Sequence, residues 1–273
     1  MRIQLPLLAA AVFALVSCAP PASDPTNTDT PMSWEEFQGL AYQEPDTGIF
    51  VMNGDEIHED LAQLRTAYDK YVSEFDVVGT TRDNLCVNRV GSSDDKWSSS
   101  VQNNITYCVS SSSFGSRYNS VVSAMASAGS AWHSAANVTL VHVTSADSNC
   151  SRSTTSVVFN VRQVNSGGQY LARAFFPSTS RSGREVLIDS TAFGSISPYT
   201  LAGILRHELG HTLGFRHEHT RPEAGTCFEN SSWRALTTYD SASVMHYPQC
   251  NGSNNGDLNL TTKDKSGAKA LYP

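Results

Sequence analysis

The amino-acid sequence predicts an α+β fold with a twisted mixed sheet and an irregular C-terminal half. Three observations support this prediction: a series of short strand-forming segments, a helix-forming segment among them over residues 117–135, and a second helix followed by chain without periodicity. This order of elements is typical of α+β proteins. The predicted strands lie near residues 104–109, 138–143, 156–161, 169–175 and 185–189.

The second helix has recognisable start and stop signals. Ser197 is a candidate N-cap, Pro198 suits the first helical position, and Gly214 can adopt the positive φ that ends a helix. Apolar residues recur at every fourth position on one side, so we expect that side to be buried and the opposite side to face a cleft. These apolar residues are Leu201, Leu205 and Leu209.

The end of this helix carries the pattern His-Glu-x-x-His, followed by Gly and His at the third and sixth positions beyond it. His207 and His211 are one turn apart, about 40° around the axis, so both can bind one ion. Glu208 lies beside that ion rather than on it, and after the turn at Gly214 the third ligand, His217, arrives from outside the helix. The spacing predicts a zinc site with an adjacent base. The alternative is that these are ordinary histidines of an amphipathic helix.

The extended motif resembles that of the metzincin zinc metallopeptidases. Glu218 after the third histidine, and Arg221 and Pro222 shortly beyond it, resemble the astacin version of the motif. The segment Ser243–Tyr247 resembles the astacin-type Met-turn and is a second, separate match. The sequence resembles in particular the bacterial HEIGH-type metallopeptidases, typified by protease B of myxobacteria, with Leu209 in place of Ile.

The resemblance implies a metzincin-like zincin domain that acts as a zinc endopeptidase on proteins. In this family a zinc-bound water attacks the peptide bond, and Glu208 is the implied general base. Met245 is the implied apolar floor beneath the metal, and Tyr247 the implied phenol that moves from zinc to the oxyanion. The substrate would lie along the edge strand at 169–175. The alternative is a non-catalytic zinc- or peptide-binding surface lipoprotein, which would have no chemical need for Glu208 or Tyr247.

The chain divides into four predicted regions. Residues 1–17 read as a lipoprotein-type signal peptide, and residues 18–31 as a disordered tether rich in Pro, Thr, Ser and Asp. Residues 32–83 are predicted to be a pro-segment, and residues 84–273 the catalytic domain. The end of the signal resembles a bacterial lipobox, which would make Cys18 the lipidated first residue. Ordinary cleavage that discards Cys18 is the alternative.

Charge is distributed unevenly along the chain. Residues 1–83 hold 14 acids and 4 bases, whereas residues 84–273 hold 12 acids and 15 bases. Neither part has the dense Lys and Arg clusters of a nucleic-acid binder, so we expect no nucleic-acid partner. The expected partners are protein or peptide substrates, and the expected state is a monomer. The protein is expected to be exported, either as a lipoprotein of the outer membrane or cell surface, anchored only through Cys18, or as a secreted protein.

Five cysteines follow Cys18, and in an exported protein they are expected to form two disulfides with one cysteine left over. Cys227 and Cys250 bracket the segment leading to the Met-turn, so we predict that pair. Cys86 with Cys108 is the second predicted pair.

The predicted pro-segment contains two helices around a turn. Ser33 and Glu36 form a capping box. Asn53 and Gly54 are a strong hairpin-turn signal. Gly54 with Asp55 also resembles the astacin pro-segment motif, in which an aspartate occupies zinc, and the two readings are compatible. A stripe of apolar residues is predicted to dock on the catalytic domain: Leu61, Leu64, Tyr68, Tyr71 and Phe75.

The remaining histidines are scattered along the chain, and we expect them to be surface or hydrogen-bonded residues rather than metal ligands. They are His58, His133, His142, His219 and His246.

Overall fold

The computed structural model describes residues 31–75, 85–227, 229–230 and 232–273. The predicted signal peptide, the predicted tether up to residue 30, Cys18 and the end of the predicted pro-segment lie outside these residues. Among the described helices, no helix has the length and apolar character needed to cross a membrane.

Residues 31–75, called here the N-terminal segment, contain two helices and a small antiparallel sheet of order β1-β2-β3. The predicted capping box is present, because Ser33 N donates to Glu36 Oε2 at 2.8 Å and the Ser33 side chain accepts from Glu36 N. Asn53 and Gly54 both have positive φ, so the predicted hairpin turn is present as well. The elements are α1 (Trp34–Gly39), β1 (Tyr42–Gln43), β2 (Phe50–Met52), β3 (Glu56–His58) and α2 (Leu61–Phe75).

The apolar stripe of α2 was predicted to dock on the catalytic domain, and for Leu64, Tyr68 and Tyr71 that prediction was wrong. Leu64, Tyr68 and Tyr71 instead pack within the N-terminal segment around Phe37. Leu61 is exposed. A helix in a segment of this size buries its stripe first against its own neighbours, because these form a local core.

The hairpin provides the apolar contact between the N-terminal segment and the rest of the protein. Ile49, Val51 and Ile57 are buried in the same core cluster as the central sheet and the helices behind it. The N-terminal segment is therefore joined to the rest of the molecule through a shared core.

The central sheet has five strands in the order β7-β6-β8-β10-β9. All neighbours are parallel except β9, which runs antiparallel to β10 and forms one edge. The five predicted strands are therefore all present, and the predicted substrate edge is an edge strand. The elements from residue 85 onwards are β4 (Cys86–Val90), β5 (Ser93–Asp94), β6 (Ile105–Val109), α3 (Ser111–Phe114), α4 (Tyr118–Ala135), β7 (Leu140–His142), β8 (Phe159–Val164), β9 (Ala172–Arg173), β10 (Glu185–Asp189), α5 (Leu201–Thr212), β11 (Trp233–Ala235) and α6 (Thr262–Leu271).

The long helices α4 and α5 pack against each other beside this sheet. Trp132 on α4 is fully buried, and its Nε1 donates to Arg206 O on α5 at 2.9 Å. Its ring also stacks on Phe215 at 5.1 Å, just beyond the end of α5. The α+β fold is confirmed, and the sheet with α4 forms the support on which α5 is held.

A third sheet, of order β11-β4-β5, was not predicted. It connects the chain just after residue 85 to the C-terminal half through the antiparallel pairing of β4 with β11. An isolated bridge from Val87 to Phe215 ties β4 to the chain just after α5. This sheet therefore braces the segment that carries the third histidine of the motif.

Helix α5 begins later than predicted. Thr200 is the N-cap, and its side chain accepts from Gly203 N at 3.0 Å. Ser197 is not the cap and Pro198 is not the first helical residue, because both lie in a turn before the helix in which Tyr199 N donates to Ile196 O at 2.8 Å. The predicted stop is confirmed: Gly214 has a φ of 96°, and a Cβ there would lie 2.0 Å from Asp95 O.

One disulfide prediction is confirmed and the other is wrong. Cys227 pairs with Cys250 as expected. Cys108 pairs with Cys150, not with Cys86, because Cys108 on β6 and Cys150 after β7 come within a Cα separation of 5.7 Å. Cys86 lies on β4, in the sheet of order β11-β4-β5, and is a buried thiol.

Candidate metal centre

Three histidine rings converge at the end of α5. His207 and His211 extend from the same face of the helix, and their Nε2 atoms lie 3.3 Å apart. His217 follows the turn at Gly214, and its ring lies 4.7 Å from that of His211 and 5.2 Å from that of His207. All three rings are buried. The structure thus brings the three predicted ligands together around one point.

Each ring is fixed through its Nδ1 atom. His207 Nδ1 lies 2.7 Å from Val244 O, and His211 Nδ1 lies 2.8 Å from Phe215 O. A carbonyl oxygen can only accept, so both Nδ1 atoms donate, and the Nε2 atoms of the neutral rings carry the lone pairs. His217 Nδ1 lies 2.6 Å from Glu229 Oε1. Rings held in this way are oriented as metal ligands are.

The carboxylate of Asp55, in the hairpin of the N-terminal segment, faces the three Nε2 atoms. Its Oδ2 lies 3.1 Å from His207 Nε2, and its Oδ1 lies 3.0 Å from His217 Nε2 and 3.6 Å from His211 Nε2. Tyr247 donates its phenol proton to the same Oδ2 at 2.6 Å. Asp55 and the three histidines form a compact group in which one ligand atom from each lies within 4.8 Å of the others.

The arrangement suits a divalent cation better than protons. His207 faces an acceptor at both ring nitrogens, yet a neutral imidazole has a single N–H. Among the described residues, His217 Nε2 and Asp55 Oδ1 are buried polar atoms that lack a hydrogen-bond partner, although they lie 3.0 Å apart. An ion bound by Nε2 atoms and a carboxylate oxygen would satisfy all of these atoms. Zinc binds well to three imidazoles when its fourth coordination position is open or is filled by a carboxylate.

The electrostatics of the group agree with a bound positive charge. Burial lowers the pKa of His211 to about 4, so its ring is neutral at neutral pH. Burial also acts to lower the pKa of His217, but the carboxylates of Asp55 and Glu229 outweigh it and raise that pKa well above the usual value. The surroundings of His217 therefore favour a cation, whether a proton or a metal ion.

Glu208 lies next to His207 on α5 and is fully buried. Burial raises the pKa of its carboxyl well above the usual range, and the negative charge of Asp55 raises it further. Its Oε2 atom has no hydrogen-bond partner among the described residues. A carboxyl without a fixed partner beside a metal site is available for proton transfer.

Met245, the implied floor beneath the metal, has a fully buried side chain. It packs against α5 so closely that a Cβ at Gly210 would lie 2.3 Å from Met245 Sδ. Asp264 at the start of α6 holds the preceding turn, because its carboxylate accepts from Ser243 Oγ at 2.5 Å and from Val244 N at 2.9 Å. Gly210 thus allows the close approach, and α6 fixes the turn in place.

Sequence reasoning missed the polar residues that surround the histidines. Glu229 touches His217 and also accepts from Arg216 at 2.8 Å. Arg216 in turn donates to both carboxylate oxygens of Glu56 in the N-terminal segment, at 3.0 and 2.9 Å. No spacing in the sequence marks Glu229 as a neighbour of the histidines, because it lies in an irregular loop. The one available signal was the position of Arg216, directly before the third histidine.

The five other histidines are not part of this group of Asp55 and the three rings. His142 is paired with Asp147 at 2.9 Å, and His246 is hydrogen-bonded to Tyr239 at 2.8 Å. His219 is buried, accepts from Tyr247 N at 3.2 Å, and lies 3.4 Å from Glu229. It stands behind His217 rather than facing the central point.

Residues 96–224 match the matrixin family, Peptidase_M10. The matrixin match covers the central sheet and α5, including all three histidines, and it ends before Met245 and Tyr247. It agrees with the expected resemblance to metzincins and with the α+β fold. It does not distinguish the bacterial HEIGH-type subgroup, which stays a prediction.

Short stretches of several known proteins are similar to part of this chain. Blastula protease 10 of Paracentrotus lividus is 32% identical over 81 residues, which is 23% of this chain and 14% of that protein. Embryonic protein UVS.2 of Xenopus laevis is 38% identical over 77 residues, 22% of this chain and 15% of that protein. Zinc metalloproteinase nas-30 of Caenorhabditis elegans is 34% identical over 109 residues, 33% of this chain and 14% of that protein. The chain thus spans about one seventh of the length of these relatives.

Two solved structures resemble this one at low identity. Myroilysin is 19% identical, with a TM-score of 0.46, and the match covers 69% of this chain and 98% of that one. High choriolytic enzyme 1, a hatching enzyme zinc-protease of Oryzias latipes, is 20% identical, with a TM-score of 0.42, and the match covers 68% and 97%.

Proposed function

We propose that this protein is an exported zinc endopeptidase whose N-terminal segment holds it latent. The observation that carries the proposal is the convergence of three buried imidazole Nε2 atoms on one point, next to the buried carboxyl of Glu208. His207, His211 and His217 would hold the metal. The matrixin match over residues 96–224 supports the same activity, and the names of two relatives, a zinc metalloproteinase and a blastula protease, support it as well.

Zinc held by three neutral imidazoles supplies Lewis acidity, which promotes loss of a proton from water and polarises a peptide carbonyl. Glu208 takes that proton while the water attacks the carbonyl carbon, and then delivers it to the leaving amine. Its burial and its lack of a fixed hydrogen-bond partner among the described residues suit a group that has to accept and release a proton.

Tyr247 is proposed to stabilise the negative oxygen of the tetrahedral intermediate. Its phenol already donates to an anionic oxygen in the group, Asp55 Oδ2, at 2.6 Å. When Asp55 leaves, the same donor can reach an oxyanion near that position. Its ring stacks on those of His207 and His219, which fix its direction.

The substrate is proposed to add a strand to the sheet at β9. This strand is an edge strand, paired with β10 on one side only among the described strands. An extended peptide at such an edge gains main-chain hydrogen bonds that do not depend on its sequence, which suits an endopeptidase acting on proteins.

The N-terminal segment is proposed to be a pro-segment that blocks the metal site through Asp55. Two further carboxylates hold it in place: Glu44 accepts from Arg173 Nε and Nη2 at 2.8 Å each, and Glu56 is paired with Arg216. Gly54 allows the approach, since a Cβ there would lie 2.8 Å from the Tyr247 phenol oxygen. Removal or displacement of this segment would open the site.

The test uses four full-length proteins: the wild type, Asp55→Ala, Asp55→Ala with Glu208→Ala, and Asp55→Ala with Glu208→Gln. Each is assayed for bound zinc and for digestion of casein with and without chelator. We expect low activity for the wild type, chelator-sensitive activity for Asp55→Ala, and retained zinc with activity lower by several orders of magnitude in both double variants.

Three results would contradict the proposal. Turnover that survives Glu208→Ala would exclude the base assignment. A wild type as active as Asp55→Ala would exclude latency. Zinc binding by Asp55→Ala without cleavage of casein or of a peptide library would instead favour the non-catalytic zinc- or peptide-binding protein.

A further inference from the structure

We propose that Glu229 is a positioning residue of the metal centre, whose carboxylate holds the ring of His217 and strengthens its Nε2 atom as a ligand. This inference rests on the proposed zinc site but not on its catalytic activity. The contact that suggests it joins His217 Nδ1 to Glu229 Oε1 at 2.6 Å, and both side chains are buried.

The three rings of the centre differ in the partner of their Nδ1 atom. His207 and His211 face neutral backbone carbonyls, whereas His217 faces a carboxylate. A carboxylate that accepts from an imidazole N–H fixes the tautomer and increases the basicity of the other nitrogen. His217 is therefore the ring with the strongest expected donor to a metal.

His217 is also the ring that most needs an external support. His207 and His211 are attached one turn apart to the same helix, α5, so the helix fixes their separation. His217 follows the turn at Gly214 and lies at the start of an irregular segment. A strong hydrogen bond to its ring supplies the orientation that the backbone of a helix supplies to the other two.

Glu229 is itself held in place from two sides. Arg216 Nη2 donates to Glu229 Oε2 at 2.8 Å, and His219 Nε2 lies 3.4 Å from Oε1. Arg216 also donates to Asn230 Oδ1 at 2.7 Å. The guanidinium balances the buried negative charge of Glu229 and leaves its Oε1 atom directed at His217.

The test compares zinc affinity in the full-length chain for the wild type, Glu229→Gln and Glu229→Ala, by competition with a chromophoric chelator. Glu229→Ala should weaken zinc binding by about 10- to 100-fold. Glu229→Gln keeps an acceptor for His217 Nδ1 but not the charge, so its affinity should fall in between. Glu223→Gln is the control, since this exposed acid pairs with Arg221 at 2.9 Å and is outside the group of His217, His219 and Glu229.

The visible spectrum of the cobalt-substituted protein gives a second readout. A change in the donor strength of His217 should shift the ligand-field bands in Glu229→Ala and leave those of the Glu223→Gln control in place. The thermal unfolding of the metal-free proteins separates this role from a purely structural one. A purely structural role would lower the stability of the metal-free protein in proportion to the loss of zinc affinity and would leave the cobalt spectrum unchanged.

Two outcomes would overturn the inference. One is zinc affinity within twofold of the wild type in both Glu229 variants. The other is a wild type with two zinc ions per chain that loses one in Glu229→Ala, since Glu229 would then be a direct ligand with His217 and His219. Weaker zinc binding by the Glu229 variants in a chain that cleaves no peptide would support this inference and refute the proposed peptidase.

Discussion

Glu44→Ala is expected to undock the N-terminal segment from the proposed active site. The carboxylate of Glu44 receives two hydrogen bonds from Arg173 and one from Tyr170, all at 2.8 Å. Arg173 is fully buried on the edge strand β9. Without Glu44, the docked state contains a buried guanidinium that has lost its closest anionic partner, whereas the undocked state lets water reach it.

The size of the effect follows from the cost of breaking a buried ion pair. Removing one partner of such a pair costs about 3–5 kcal/mol, because the remaining charge is left uncompensated. Since about 1.4 kcal/mol corresponds to tenfold, the ratio of docked to undocked chains should fall by roughly two to four orders of magnitude. The shared apolar core of Ile49, Val51 and Ile57 opposes undocking equally in the variant and the wild type.

Two measurements report the change: the rate of limited proteolysis within the N-terminal segment and the rate of cleavage of a fluorogenic peptide. Both should rise in Glu44→Ala. Asp46→Ala is the matched control, since this acid lies two residues away and is exposed. If Glu44→Ala and Asp46→Ala give the same proteolysis rate and the same peptide cleavage, the Arg173 contact does not hold the segment, and the reasoning is refuted.

Two further predictions concern the same segment. Gly54→Ala should raise peptidase activity toward that of Asp55→Ala, because the new Cβ would meet the Tyr247 phenol oxygen at 2.8 Å. Gly48 also has a positive φ but has no atom within 4 Å of the position that a Cβ would take, so Gly48→Ala should leave the activity of the full-length chain unchanged. Equal activity in the two glycine variants would exclude the contact as the cause. Lowering the pH below about 4 should weaken docking. Burial acts to raise the pKa of Glu44, but the charge and hydrogen bonds of Arg173 outweigh it, so the pKa of Glu44 is lower in the folded protein than in the unfolded chain. The stabilisation that Glu44 provides at higher pH is therefore lost as the pH falls through its folded-state pKa. Hydrogen exchange across residues 42–58 should show this pH dependence in the wild type and less of it in Glu44→Gln, and an identical pH profile in the two proteins would contradict the assignment.

Much of the local structure could be predicted from the sequence. The histidines at 207 and 211 share a helix face because of the helical period, and the turn at Asn53 and Gly54 follows from their tolerance of positive φ. The strands of the central sheet were located from short apolar runs, and the structure places all five of them in one sheet. Each of these features depends on residues within a few positions of one another.

The errors came where distant residues compete for the same partner. The pairing of Cys108 with Cys150 depends on which chain lies beside β6, and no spacing encodes that. Ser197 and Thr200 both suit an N-cap by residue type, and the structure places Ser197 in a turn before α5 and Thr200 at the cap. The apolar stripe of α2 was real, but its partner was its own segment, because periodicity identifies a face and not what covers it.

By itself, the sequence determined the chemistry that this protein can attempt: the three imidazoles, the carboxyl of Glu208 and the turn that returns His217 to the helix are specified by local spacing. The resemblance to the astacin pro-segment motif indicated Asp55, but tertiary structure alone decided which other polar side chains surround that group, namely Glu229 and the arginine contacts of Glu44 and Glu56. The physical reason is that a charge can be buried only where a partner meets it, and partners such as Glu44 and Arg173 are 129 residues apart in the chain. Their meeting is fixed by the packing of the shared core.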